Sequence, residues 1–365
     1  MATLGRDDLK QYALPTYWDP ALLRRMELEA GYTYEQVLSD ITGALAMANA
    51  SLLADPLISS LISVTTEVAT EYAIGVAADE MQAHTEYSRP DQHRGATTGH
   101  MLPLTPYDDG LGWTWDFLRK ARRIQIDTTV AGAIRRLRNT WAKQILTRLF
   151  KSTYTAVGTG RSMPLADGGT ADSTYIPVAV AERGGTFLYT HDHIEPLDGI
   201  TQANLETAVL DLWEHGYDAP YDLLVSATDI ADWSDTSDVT GWIPKASPTI
   251  RYGMTADLAD LGEDFIGAID TNHGICRVRA NGRVPTTYWS LYKSAGALDQ
   301  RNPLVVRYNP AFGIGGVPLA AKEAIRQYPF EDMIIFAEFG VGVADRVGAV
   351  VVKNTSSTYS DPTIT

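Results

Sequence analysis

The fold of this chain is decided by residues 115–151, which read WDFLRKARRIQIDTTVAGAIRRLRNTWAKQILTRLFK. Apolar residues in the second half of this stretch recur at steps of three and four, which places them on one side of a helix with a period of 3.6 residues. They are Ile134, Leu137, Trp141, Ile145 and Leu149. The pattern predicts a long helix whose apolar side packs against the protein core.

The same stretch is strongly basic in an acidic protein. The whole chain has 30 Lys and Arg against 45 Asp and Glu, a net charge of −15. The cations of interest are Arg119, Lys120, Arg122, Arg123, Arg135, Arg136 and Arg138. They indicate either a solvated helix face or contacts with acidic neighbours or a polyanion. Because the chain as a whole is acidic, any contact with nucleic acid would be local to this stretch.

Length and composition limit the class of protein. A chain of 365 residues exceeds the usual size of one compact domain, which predicts two or three subdomains. A single cysteine, Cys276, excludes an intrachain disulfide and a cysteine cluster for zinc, and its alternating surroundings predict a buried side chain. The first residues lack the pattern of a signal peptide, and the apolar stretch 41–66 is interrupted by Asp55 and Pro56. We therefore expect no membrane span and synthesis in a cytoplasm.

Local signals place helices in the first 75 residues. Thr33 and Gln36 have the spacing of a capping box, and the helix that follows carries Val37, Leu38, Ile41 and Leu45 at helical steps. Asp55 before Pro56 predicts the start of another helix, which we expect to run through residues 57–73. The region shows little sign of a closed core, so we expect it to lie along another surface.

Residues 71–112 predict a long two-stranded excursion with a tip near residues 88–100. The stretch is dense in Gly, Pro, His, Asp and Thr, and a loop of that length usually has a function or makes outside contacts. Its histidines, His84, His93 and His100, are interpreted as solvated loop residues. No carboxylate–histidine spacing typical of a metal site joins them.

The second half of the chain alternates helices and strands. A Thr cap and the spacing of Leu205, Val209 and Leu212 predict a helix that begins at Thr201 and ends at Gly216. Residues 221–226 predict a short buried strand, and residues 333–339 and 347–352 predict two strands separated by Gly340 and Asp345. A sheet with helices packed on it is expected. Residues 354–365 form a polar tail.

Motifs of catalysis are absent from the sequence. It contains no nucleophile elbow, HExxH, phosphate loop or dinucleotide fingerprint. On a strand, His191 and His193 would lie on one face, where they could chelate a metal with Glu195 or Asp198. The alternative is a polar strand end that enters a turn at Pro196. We expect no cofactor.

The order of these parts resembles a known family. The resemblance lies in MPLADGG at 163–169, YIPVAV at 175–180, LWEHGYDAPYDLLVS at 212–226, RVPTTYWSLYKSAGALDQRNPLVVRYNP at 283–310 and FAEFGVGVADRVGAVVVKN at 336–354. These segments, in this order, are similar to the HK97-type major capsid proteins of tailed double-stranded DNA bacteriophages. Encapsulin shells share that fold.

The resemblance implies an α+β, HK97-like capsid fold. Its parts would be an N-arm at 1–70, an E-loop at 71–115, a peripheral domain with a long spine helix at 116–196 and 333–353, an axial α/β domain at 197–332, and a C-terminal tail at 354–365. The E-loop of such a protein lies over a neighbouring subunit. His93 and Arg94 at its tip, together with the helix cations, are therefore expected to make inter-subunit contacts.

The resemblance also implies a function. The chain would be a structural subunit, not an enzyme, that self-assembles as hexamers and pentamers into an icosahedral shell around double-stranded DNA. Its expected partners are copies of itself, scaffold, portal and decoration proteins, and packaged DNA bound without sequence specificity. Its expected location is the virion capsid, after synthesis in the host cytoplasm. The alternatives are an encapsulin-like nanocompartment and a metal-dependent enzyme that uses His191 and His193.

Overall fold

The structure is a computed structural model. It describes residues 31, 33–74, 96–114, 117, 120–153, 155–157, 160–166, 192–245, 264–311, 319–321, 330–355 and 357–364. The chain divides into two compact units. The smaller unit comprises Met1–Ser51, Tyr107–Arg138 and Val317–Ala337, and the larger unit comprises Leu52–Pro106, Asn139–Gly316 and Glu338–Thr365.

Helices and strands alternate through the described residues. The helices are α1 (Tyr34–Leu53), α2 (Pro56–Leu61), α3 (Arg123–Phe150), α4 (Gln202–Glu214) and α5 (Ile230–Trp233). The strands are β1 (Ile62–Thr65), β2 (Ala69–Ile74), β3 (Ala96–Met101), β4 (Thr105–Thr114), β5 (Thr155–Val157), β6 (Gly160–Ser162), β7 (Ile194–Pro196), β8 (Tyr221–Ser226), β9 (Trp242–Pro244), β10 (Phe265–Thr271), β11 (Gly274–Asn281), β12 (Tyr288–Tyr292), β13 (Leu304–Tyr308), β14 (Leu319–Ala321), β15 (Phe330–Val343) and β16 (Ala349–Lys353). No helix in these ranges is both long and apolar enough to cross a membrane.

The long basic helix is present as α3. It spans 28 residues, or about 42 Å at 1.5 Å per residue. Trp141, Ile145 and Leu149 are buried as predicted, whereas Ile134 and Leu137 are only half-buried. In the larger unit the Trp141 ring packs edge-on against Phe339 of β15, with ring centroids 4.7 Å apart. The apolar stripe is therefore confirmed and is deepest in the second half of the helix.

The capping box at the start of α1 is confirmed. The Thr33 amide donates to Oε1 of Gln36 at 2.8 Å, and the Gln36 amide donates to Oγ1 of Thr33 at 3.3 Å. Val37 and Ile41 are buried on one side of α1. The two reciprocal bonds satisfy amides that the first helical turn leaves without intrahelical partners.

The prediction of a helix through residues 57–73 was wrong. Asp55 caps the start as expected, because its Oδ1 accepts from the amides of Leu57 and Ile58. The helix ends at Leu61, however, and the chain continues as β1, which pairs in parallel with β13. The β-branched residues of this segment favour a strand, and the distant partner supplies the backbone hydrogen bonds.

A seven-stranded mixed sheet forms the core of the larger unit. Its order is β7-β16-β12-β8-β11-β10-β9, with β8 and β11 parallel and β12 antiparallel to β8. Helix α4 begins at the predicted Thr201 cap, which accepts from the Asn204 amide at 3.2 Å. Leu205 and Leu212 of α4 are fully buried in this core, and so is Cys276, as predicted.

A buried ion-pair network joins the two central parallel strands. Asp222 of β8 has no exposed side-chain surface and pairs with Arg277 and Arg279 of β11. Arg279 also binds Asp264, with Nη1 3.1 Å from Oδ2. Asp222 is level with Arg277 in the register of the two strands. The two arginines alternate along β11, so both lie on the same face of the sheet as Asp222.

The strand β15 is longer than predicted. It continues through Gly340, which the sequence placed between two strands. The reason is a close backbone approach, because a Cβ atom at residue 340 would collide with the carbonyl oxygen of Pro103. Glycine at this position permits contact with a neighbouring segment and does not end the strand.

The last described residues pack on the larger unit, although we expected a polar tail. Tyr359 donates from its hydroxyl to the Phe150 carbonyl at 2.6 Å, and Asp361 accepts from the Ser152 amide at 2.7 Å. Ile364 is only 2% exposed. These residues therefore cover the end of α3.

The contact at Gly340 generates a stability prediction. Gly340→Ala should lower the free energy of unfolding by about 1–3 kcal/mol, because the methyl group must displace the Pro103 backbone. The measurement is thermal and urea unfolding of the purified chain. Gly282→Ala is the matched control, since nothing lies within 4 Å of the added methyl group there. Equal stability of the two variants would contradict the argument.

Candidate functional site

The cations of the long helix lie mainly on its exposed side. Lys120, Arg122 and Arg123 are exposed at its start, and Arg135, Arg136 and Arg138 are exposed further along. All six belong to the smaller unit. The other predicted contact residues, Arg119, His93 and Arg94, lie outside the described residues.

Two of these cations are paired with acids of the same unit. Nη2 of Arg123 lies 2.6 Å from Oδ2 of Asp40 on α1, and Nε of Arg123 lies 3.7 Å from Oδ2 of Asp127. Arg136 donates to Oδ2 of Asp109 on β4 from Nε at 2.9 Å and from Nη2 at 2.7 Å. The arginine side chains remain more than half exposed, so each pair contributes only about 0–1 kcal/mol.

Arg122 and Arg135 differ from these paired residues. Neither side chain makes a hydrogen bond or an ion pair with another described residue, and both are exposed. Arg138 instead donates to Oγ of Ser51 at 2.5 Å. Among the described cations in this half of the helix, Arg122 and Arg135 therefore have guanidinium groups available for an acidic partner outside the chain.

An apolar groove runs beside the basic face, between α1 and α3. Its volume is about 230 Å³. The lining is mostly apolar and includes Val37, Ile41, Ala44, Ile126, Val130, Ala131 and Ile134, with Asp40, Arg123 and Asp127 as its charged members. The smaller unit thus presents apolar and charged surface side by side on the same two helices.

The candidate metal site at His191 and His193 lies partly outside the described residues. His193 is fully buried just before β7, while His191 lies outside the described residues. Nδ1 of His193 is 3.1 Å from the Ala349 carbonyl oxygen, so it must carry a proton. Nε2 of His193 is 3.0 Å from Nε2 of His215, so one of these nitrogens donates a hydrogen bond to the other. No group of three or more His, Cys, Asp or Glu in the described ranges could hold a metal ion.

Carboxylates of α4 and of the β7 segment influence one another electrostatically and form a cluster. Burial raises the pKa of Asp211 to about 8, and the charges of Glu195, Glu214 and Asp192 add to the effect. Burial, assisted by Asp192, raises the pKa of Glu195 to about 7. Oε2 of Glu195 and Oδ2 of Asp211 are buried and have no hydrogen-bond partner among the described residues. The sequence indicated Glu195, but it gave no signal for Asp211 or His215, whose positions depend on the packing of α4.

His100 is buried, so its interpretation as a solvated loop histidine was wrong. It lies near the end of β3 and is 6% exposed. The strand pairs with β2, and the imidazole ring of His100 lies beside Gly342 of β15. The composition of this segment is typical of a loop, but tertiary contacts bury His100.

The carboxylate cluster generates a prediction about pH. A carboxyl whose folded pKa is raised contributes stability that is present below its unfolded pKa and is lost as the pH rises through the folded value. Asp211→Asn should therefore stabilise the chain by about 1–2 kcal/mol at pH 8, with a smaller gain at pH 5. Urea unfolding at both pH values measures the difference.

The control for this variant is Asp232→Asn, which removes an exposed carboxylate on α5. Its effect should be small and similar at pH 5 and pH 8. A gain for Asp211→Asn that does not grow with pH would contradict the buried cluster as the cause.

Comparisons with known proteins were made on both sequence and structure. No family model matches the chain. No curated protein matches it by sequence either. Similar solved structures include a chain of Mycobacterium phage Patience, with a TM-score of 0.62 and 20% identity over 92% of this chain and 92% of that chain.

Two other structures are more distant. The mature capsid of bacteriophage PhiM1 has a TM-score of 0.48 and 12% identity over 82% of this chain and 87% of that chain. The holo-SrpI encapsulin complex of Synechococcus elongatus PCC 7942 has a TM-score of 0.43 and 12% identity over 84% and 90%. The fold assignment rests on the Patience chain. It shows a fold that this chain shares with a mycobacteriophage protein, as the predicted resemblance to phage proteins implies.

Proposed function

We propose that this chain is a major capsid protein, the structural subunit of an icosahedral shell that encloses double-stranded DNA. The observation that carries the proposal is the fold shared with the chain of Mycobacterium phage Patience over 92% of both chains. The proposed role requires no catalytic residue and no cofactor.

The proposed parts of the subunit are those implied by the family resemblance. They are the N-arm at 1–70, the E-loop at 71–115, the peripheral domain at 116–196 and 333–353, the axial domain at 197–332 and the tail at 354–365. The pairing of β2 with β3 supports the E-loop, because it forms the two-stranded stem that such a loop needs. The 28 residues of α3 support the spine helix.

We place a contact between neighbouring subunits on the first half of α3 and the residues just before it. Arg122 and Arg135 support this proposal, because they are exposed and their guanidinium groups have no partner among the described residues. A chain with a net charge of −15 offers many acidic surfaces to such cations. Lys120, Arg123, Arg136, Arg138 and, outside the described residues, Arg119, His93 and Arg94 complete the proposed contact set.

The charge of the chain also bears on its other proposed partners. An acidic subunit does not hold packaged DNA tightly, because phosphate contacts need clustered cations. We therefore propose that DNA is enclosed without sequence-specific binding. Copies of the chain would form hexamers and pentamers, with scaffold, portal and decoration proteins as further partners. The subunit would be made in the host cytoplasm and would reside in the virion capsid.

The first test of this proposal is the size of the assembled protein. The purified full-length chain, expressed alone and with a scaffold protein, should form closed particles of megadalton mass. Light scattering after size-exclusion chromatography measures the mass, and negative-stain microscopy shows the shape. A chain that stays a monomer or small oligomer under all these conditions would falsify the proposal.

The contents of the particles separate a capsid from an encapsulin-like compartment. Particles purified from phage-infected cells should contain double-stranded DNA, which nuclease treatment before lysis of the particles leaves intact. A protein cargo in place of DNA would identify a nanocompartment. The shell proposal would then stand, but the enclosure of DNA would be wrong.

The second test concerns the helix cations. Arg122→Glu combined with Arg135→Glu should reduce the yield of particles at least tenfold, because both carboxylates would face acidic surface of the neighbouring subunit. Lys143→Glu is the matched control, since it reverses an exposed cation in the other half of the same helix. Sedimentation measures the yield of particles, and circular dichroism checks that the subunit still folds.

The same variants distinguish a subunit contact from a DNA contact. If the arginines contact DNA, the double variant should form particles in normal yield that contain less DNA. Normal particles with a normal DNA content would remove Arg122 and Arg135 from the proposed contact set.

A further inference from the structure

The base of the β2–β3 hairpin contains a buried histidine that faces cations. His100 lies one residue before the end of β3, opposite Thr70 of β2, and is 6% exposed. The next residue but one, Leu102, donates its amide to the Val68 carbonyl at 2.7 Å, which closes the base of the hairpin. His100 therefore lies where the hairpin joins the body of the larger unit.

A notch in β15 accepts the histidine ring. A Cβ atom at Gly342 would be 3.1 Å from Nε2 of His100 and would collide with the Leu102 side chain. Glycine at residue 342 thus leaves the space that both side chains occupy. Arg307 of β13 holds the same segment, because it donates from Nη1 to the Leu102 carbonyl at 2.8 Å.

Among the described residues, two cations act electrostatically on His100. Arg148 of α3 and Arg346, between β15 and β16, are 5% and 1% exposed. Arg148 donates from Nη2 to the carbonyl of Lys151 at 2.8 Å. Arg346 donates from Nε to the carbonyl of Pro164 at 3.0 Å. These bonds to backbone oxygens hold both guanidinium groups in place.

These surroundings oppose a charged imidazole. Burial lowers the pKa of His100 to about 3, and Arg148 and Arg346 add to the effect. Because the pKa of His100 is lower in the buried state than in water, neutral His100 stabilises the buried state above the free pKa of 6.5. This stabilisation is lost as the pH falls from 6.5 towards 3. Acid therefore favours any conformation in which His100 reaches water.

We propose that His100 is an acid-sensitive contact that holds the base of the β2–β3 hairpin in the notch at Gly342 while neutral and releases the hairpin when protonated. Arg307, Leu102 and the backbone of β15 lose their contacts with the hairpin in that release, whereas the seven-stranded sheet is unaffected. One consequence rests on the proposed function: in the proposed shell, acidification would free the β2–β3 hairpin of each subunit to change its contacts.

The expected size of the effect follows from linkage. With pKa values of about 3 in the notch and 6.5 in water, the equilibrium constant for release should rise about 30-fold from pH 7.5 to pH 5.0. Hydrogen–deuterium exchange of the full-length chain, corrected for the intrinsic pH dependence of amide exchange, measures this equilibrium. The amides of β2 and β3 should lose protection by that factor, while those of β8 and β12 should not.

Two variants separate His100 from other causes. His100→Gln keeps an amide nitrogen near the position of Nε2 but does not titrate, so protection of the hairpin should be the same at both pH values. His273→Gln is the control in the β10–β11 turn and should leave the 30-fold change intact. An unchanged pH dependence in His100→Gln would overturn the proposal.

The wild-type chain also tests the proposal if His100→Gln does not fold. Protection of β2 and β3 that is equal at pH 7.5 and 5.0 would show that the contact does not respond to acid. An equal loss in the hairpin and in β8 would show global unfolding and would likewise overturn it. Both results are independent of whether the chain assembles into a shell.

Discussion

The larger unit depends on the ion pairs that one buried carboxylate makes in its central strand. Asp222 of β8 is enclosed completely and is compensated by Arg277 and Arg279 of β11. Removal of one partner from such a buried pair costs about 3–5 kcal/mol, because the other charge is left alone. A shift of β11 by one residue would turn both arginines to the opposite face. The network therefore fixes the register of the two strands that the rest of the sheet extends.

Charge compensation is arranged differently in the smaller unit. Its cations lie on an exposed helix face, where Arg123 and Arg136 have acidic neighbours and Arg122 and Arg135 have none among the described residues. Exposed pairs of this kind add little stability, so the basic face is not needed to hold the unit together. In the proposed subunit contact, these exposed cations would set register more than strength, in contrast to the buried arginines of β11.

Local signals in the sequence predicted local structure well. The capping box at Thr33, the cap at Thr201 and the apolar spacing along α3 all have the structures that their side chains favour. Other predictions were wrong because tertiary contacts determine the structure of those segments. The segment after Leu61 is a strand because its partner lies far along the chain, and Gly340 continues a strand because Pro103 approaches it. The basic face was evident from the sequence, whereas the positions of His215 and Asp211 depend on how α4 packs in the fold.

The parallel pairing of β1 with β13 has a consequence for synthesis on the ribosome. Asn302, which donates to the Ile62 carbonyl at 2.9 Å, follows it by 240 residues. At 5–20 residues per second, β1 would wait roughly 12–50 s for its partner. Leu57, Ile58 and Leu61, which are buried in the finished protein, would remain exposed during that time. We therefore expect chaperones that bind short apolar segments to hold the nascent chain until translation passes β13.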